Sequence, residues 1–116
     1  MSSLNIEQGE LIVADILFAE QVGAKRRLAL VISNSSYNKN SEDIIVLKVT
    51  SHGSDTKFDI SLTNKDTANK TLKTDSTIMA DFPVVIVKEN IVARPDKINA
   101  NKMNEVKQKI RELYNI

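Results

Sequence analysis

Lys25-Arg26-Arg27-Leu28-Ala29-Leu30-Val31-Ile32-Ser33-Asn34 sets fixed cations directly in front of an apolar run, and a polar turn closes it. The run from Leu28 to Ser33 is apolar on both faces, which predicts a central β-strand. An arginine at the root of such a strand is held by the strand's packing, so its charge is aimed. Its forked donors match phosphate geometry. Two readings stand on this stretch alone. Either Arg26 and Arg27 face a phosphate, or they form a solvated gatekeeper cluster beside an apolar strand.

Outward from this strand, the same alternation of apolar runs and polar turns continues. Residues 1–8 are polar and read as a short flexible arm, and Gly9 opens a strand over Glu10-Leu11-Ile12-Val13-Ala14-Asp15-Ile16. Leu17 to Arg26 reads as a loop. After the central strand, Asn34 to Ser41 is a run of turn formers. Ile44 to Val49 predicts a third strand, and Phe58, Ile60 and Leu62 alternate with polar residues as a half-buried fourth. Asn64 to Thr74 reads as a loop whose Lys65, Lys70 and Lys73 solvate it. Thr77 to Phe82 and Val84 to Val87 read as separate strands, because Pro83 removes a ladder donor between them. Pro95-Asp96 marks a turn. The period then changes: Met103, Val106, Ile110 and Leu113 fall on one helical face over about 99–115, with Asn99 or Asn101 as N-cap. Lys102, Glu105, Lys107, Lys109, Arg111 and Glu112 are assigned to the solvent side. Five or six strands and a terminal helix predict a mainly β protein, a small bent β-barrel closed at one end by the helix.

The 116 residues suit a single domain that buries about two-thirds of its unfolded surface. Sixteen Lys and Arg balance 15 Asp and Glu, which argues against a bulk polyanion coat yet allows a local basic site. Absence of cysteine rules out disulfides and thiolate metal sites, and one histidine cannot build a histidine-rich centre. No apolar run approaches the roughly 20 residues of a membrane helix. Met1 to Asn5 lacks a basic region followed by an apolar one, so no secretion signal is read and a cytoplasmic protein is expected. Zinc spacings, phosphate-binding glycine loops and nucleophile elbows are all missing from the sequence. What remains for chemistry is a set of groups at predicted strand ends: Arg26, Arg27, Thr50, Ser51, His52 and Asp81.

At these residues the chain resembles the PemK/MazF family. The likeness is carried by Gly9 to Asp15, Lys25 to Asn34, Ile44 to Ser51, Ser76 to Asp81 and the amphipathic terminal helix, in that order. The resemblance implies an SH3-like β-barrel of five to seven strands and a toxin of a type II toxin–antitoxin pair. Such toxins are homodimers that cut single-stranded RNA at short sequences without a metal or other cofactor, and a cognate antitoxin blocks the cleft. Carried over position by position, Arg27 matches the catalytic arginine and Thr50 the catalytic threonine. Asp81 falls where some members place an acidic residue used in cleavage or RNA contact. Two departures stand out: Gly9-Glu10 replaces the usual Gly-Asp, and Arg27-Leu28 replaces Arg-Pro.

Those residue types suit the chemistry. RNA supplies its own 2′-hydroxyl nucleophile, so the protein must stabilise charge and move protons. A fixed cation at Arg27 meets the developing negative charge, the Thr50 hydroxyl donates to a phosphate oxygen, and Asp81 is the candidate general base. Lys25, Arg26, Ser51 and His52 are assigned to flanking substrate contacts. The plainer readings are a strand-end threonine, a turn-capping Asp81 before Pro83, and an exposed loop histidine. Two non-enzymatic alternatives remain: a gyrase-poison-like barrel, which needs neither Arg27 nor Thr50, and a regulatory nucleic-acid-binding barrel. The second is weakened by only two Tyr, three Phe and no Trp for stacking.

Overall fold

Alternating side chains build two cores on opposite faces of one sheet. The computed structural model describes residues 5–17, 23, 25–52 and 56–116. In chain order the elements are β1 (Glu10–Ile16), β2 (Lys25–Val31), α1 (Ser35–Asn40), β3 (Asp43–Thr50), β4 (Asp59–Leu62), β5 (Ser76–Val87), β6 (Ile91–Lys97) and α2 (Ala100–Tyr114). The six strands lie in the order β4-β5-β3-β2-β1-β6, and every pairing is antiparallel. The mainly β class with a C-terminal helix is as read from the sequence. The expected closure into a barrel is corrected: β4 and β6 are the edges of an open sheet.

Leu11 of β1, Leu30 of β2 and Leu47 and Val49 of β3 point into the first core, which α2 covers with Met103 and Val106. Ile12, Ala14 and Ile16 of β1, Ala29 and Val31 of β2, and Ile44 and Val46 of β3 point into the second. Ile6 is buried in that second core, so the polar arm read over residues 1–8 is docked at this position. Burial on both faces explains why the strands read as near-continuous apolar runs. Each fully buried Leu or Ile contributes about 1.5–3 kcal/mol relative to exposure.

Gly9 sits at φ +97°, a conformation that favours glycine, and locks β1 in place from both sides. Its N–H donates to Val31 O at 2.8 Å and its carbonyl accepts from Ile98 N at 2.9 Å. Glu10 follows. Its buried carboxylate accepts from Arg94 Nε and Nη2 at 2.8 and 2.7 Å and from Glu7 N at 2.7 Å. Burial opposes its charge, but these donors outweigh that and lower its pKa. The longer carboxylate at this position thus fastens β1 to β6.

Several boundaries differ from the sequence expectation. β2 begins at Lys25, so Lys25 and Arg26 belong to the strand; of the remaining predicted loop, residues 18–22 and 24 lie outside those described. The turn-former run holds α1, capped by Asn34 Oδ1 accepting Tyr37 N–H at 2.8 Å. Residues 76–87 form one strand through Pro83. Pro95-Asp96 lies inside β6. Lys102, assigned to solvent, has a side chain only 12% exposed and pairs with Glu105 at 2.8 Å and Asp66 at 3.8 Å.

Asn99 is the N-cap of α2, with Oδ1 accepting Lys102 N–H at 2.8 Å. Asn99→Ala is expected to cost about 1 kcal/mol, read as a lower urea midpoint at unchanged slope. Among the described residues, no helix is long and apolar enough to cross a membrane.

Candidate active site

The sheet register decides which predicted site residues meet. β2 pairs β3 through Val31↔Val46, Leu30↔Leu47 and Ala29↔Lys48. The ladder ends there; alternation carried two residues further along each strand puts Arg27 and Thr50 on the same face, just past that end. On the far side, Thr50 is paired with Thr77 of β5. Arg27 is also paired with Ala14 of β1. Two cross-strand pairs, Ala14 with Arg27 and Thr50 with Thr77, therefore share one face at the end of the second core.

Alternation along β2 puts Arg27 on the same side as Ala29 and Val31, both buried there. Arg27 is itself partly buried, and its Nε is out of contact with water. The strand packing thus aims the guanidinium. Leu28, in place of the family proline, lies opposite Val13 and packs on the first core, so the β1–β2 ladder runs unbroken through Arg27. Thr50 Oγ1 accepts the backbone N–H of His52 at 3.1 Å, which fixes the hydroxyl and leaves its O–H for donation.

The other candidates are spread more widely. Lys25 shares the face of Arg27, opposite Ile16. Arg26 takes the opposite face and forms a 3.4 Å ion pair with Asp15. Both partners are well exposed, so this pair adds little to stability. Ser51 and His52 are exposed just past β3. Asp81 is exposed on β5, between Ala80 in the first core and Phe82 packed against the second. That change of core marks a bend: β5 spans from Ile78 to Pro83 while β3 spans only from Val49 to Leu47.

Three residues that sequence reasoning passed over join the same face. Thr77 lies beside Thr50. Lys48, two residues before Thr50, sets its Nζ 4.6 Å from the centroid of the Phe82 ring. The available signal was the period of two: after Asp43 at its start, Lys48 and Thr50 are the polar members of an otherwise apolar strand. Among the described residues, no group of three or more His, Asp or Glu is arranged to hold a metal ion.

No curated protein sequence matches the chain. In fold it is similar to MazF from Deinococcus radiodurans, at 23% identity and TM-score 0.75, covering 97% of this chain and 99% of that one. The MazE-MazF structure from the same organism (Form-III) gives 23% identity and TM-score 0.77, covering 97% and 99%. An endoribonuclease from Mycobacterial species gives 12% identity and TM-score 0.77, covering 97% and 94%. The profile of the family described as "PemK-like, MazF-like toxin of type II toxin-antitoxin system" matches residues 7–114. With that match spanning nearly its whole length and the fold in agreement, the chain belongs to the PemK-like, MazF-like toxins of type II toxin–antitoxin systems.

Proposed function

We propose that the chain is a metal-independent endoribonuclease that cleaves single-stranded RNA at short sequences. The observation that supports this reading is the pleat that puts Arg27 of β2 and Thr50 of β3 on the same face, just past the end of the β2–β3 ladder at Ala29↔Lys48. The RNA 2′-hydroxyl attacks the adjacent phosphorus and the bond to the 5′-oxygen breaks, leaving a 2′,3′-cyclic phosphate and a 5′-hydroxyl. Arg27 stabilises the charge on the phosphorane, and Thr50 donates a hydrogen bond to a non-bridging oxygen. Asp81 is the candidate base for the 2′-hydroxyl proton. Lys25, Ser51 and His52 lie where flanking nucleotides pass. Arg26, turned to the other face, reaches only RNA that wraps the edge of the site.

A cognate antitoxin is the proposed protein partner and the cytoplasm the proposed location. A homodimer is supported by the apolar edge of β5. Beyond Met79 the β5 ladder runs to β3 alone among the described strands, and Val85 there is 61% exposed.

Mixed-sequence single-stranded RNA incubated with the purified protein in EDTA tests the reading. Fragments ending in 2′,3′-cyclic phosphate are expected. RNA that stays intact with antitoxin-free protein overturns it.

A further inference from the structure

We infer that Lys48 is a second phosphate-binding cation of the RNA cleft, held ready by the Phe82 ring; this deepens the nuclease reading and rests on it for the identity of the ligand. β3 lies inside the sheet, between β2 and β5. Both chain neighbours of Lys48, Leu47 and Val49, are buried in the first core. An aliphatic residue would satisfy such a position at no desolvation cost, whereas an ammonium there is partly stripped of water. Lys48 is only partly buried, and it stands over a phenyl face, which attracts the cation through the ring quadrupole. The β3–β5 register that pairs Val46 with Val84 and Leu47 with Pro83 brings Phe82 next to Lys48 across the ladder. Ring and ammonium are thus a built pair, not a chance approach of two loops.

The location gives the pair its use. Lys48 shares a face with Thr50, about 7 Å along the strand, and lies diagonal to Arg27 at about 7–8 Å. One nucleotide repeat of an extended backbone bridges such a distance. With Arg27 and Thr50 on the scissile phosphate, the neighbouring phosphate falls at Lys48. Ala29, directly opposite Lys48, is small and fully buried, so the ammonium stands at the border of the second core. The flexible stem of a free lysine loses rotamer freedom on binding; the Phe82 ring has already restricted it. Lys48 is therefore a substrate-binding residue and Phe82 its positioning residue. The competing account is a lysine that lays its stem over Phe82 and sends its charge to solvent with no role in binding.

Binding of a labelled single-stranded DNA oligonucleotide separates the two accounts, because it has no 2′-hydroxyl and is not cut by this route. Affinity is measured against KCl concentration for the wild-type chain, Lys48→Met and Lys48→Arg, with melting curves to confirm folding. Methionine keeps the length of the stem and its packing on the ring. Lys48→Met is expected to weaken binding about 5–10-fold near 0.1 M salt and to lower the slope of log affinity against log salt by about 0.7, the loss of one phosphate contact to a single strand. Lys48→Arg should keep the wild-type slope. Phe82→Leu should weaken binding severalfold while keeping the slope, since the charge remains and only its placement is lost. A Lys48→Met protein with wild-type affinity and slope overturns the inference. If the wild-type protein leaves RNA intact in EDTA but the Lys48→Met slope falls as expected, the phosphate site stands and the nuclease reading alone is lost.

Discussion

Arg27→Ala is expected to lower the rate of RNA cleavage by about 10²–10³-fold, the loss typical of removing one preorganised donor to a developing oxyanion. Arg27 is placed for this by β2. Its neighbours on the same face, Ala29 and Val31, are fully buried, and its cross-strand partner Ala14 is too. In the proposed reaction the guanidinium would meet the phosphorane without reorganising, and that saving is what alanine would forfeit. Because Arg27 lies at the end of the core and not within it, the melting curve should shift by no more than about 1 kcal/mol of stability. Arg27→Lys keeps a charge but replaces a planar fork by a single ammonium, so it should recover only part of the rate. Initial rates at saturating RNA, read beside the melting curves, check this. A folded Arg27→Ala protein with wild-type rate removes Arg27 from the chemistry.

Position along the chain determined how much of this was legible. Strands β1, β2 and β3 and helix α2 carry strong periodic patterns, and those patterns are what both cores are made of. Residues 35–40 carry no apolar stripe, because the helix there buries one polar side chain, Asn38. Asn38 donates to Ser33 O nearby and to Ile6 O far along the chain, and no local pattern announces the second contact. Pro83 predicts a break, yet among the described strands it sits in the half of β5 that pairs on one side only, where a missing donor is tolerated. At the site, the spacing of Arg27 and Thr50 was readable, and the residues that share their face were not. Lys48 and Thr77 become partners only through register, and Phe82 joins them because β5 bends at Asp81. Arg26 illustrates the converse. Adjacent to Arg27 in sequence, it is turned away from it by the pleat.

Asp96→Asn is expected to cost about 3 kcal/mol at neutral pH, because the loss strands buried donors that now meet an amide in place of a carboxylate. Asp96 is 5% exposed, and it sits in the stretch the sequence presented as a turn. Its carboxylate accepts Asn69 N–H at 2.7 Å, Thr71 N–H at 3.0 Å, Thr71 Oγ1–H at 2.7 Å and Lys97 N–H at 2.9 Å. These contacts tie residues 69–71 onto β6. Burial pushes against the charge, but the four donors prevail and hold its pKa at about 2, from an ordinary 3.8. Since the folded value lies below the unfolded one, the stabilisation is fully present above about pH 4 and is lost as the pH falls towards 2. That shift corresponds to about 2 kcal/mol. Glu10, held down by Arg94, loses stability in the same direction, so wild-type stability should fall steeply on acidification. Urea midpoints between pH 5 and 2 should therefore decline less in Asp96→Asn than in the wild-type chain, with the two curves converging at the acid end. Thr71→Val removes one donor and should move the wild-type decline to higher pH. Parallel curves for wild type and Asp96→Asn would show that Asp96 does not fasten this loop through its charge.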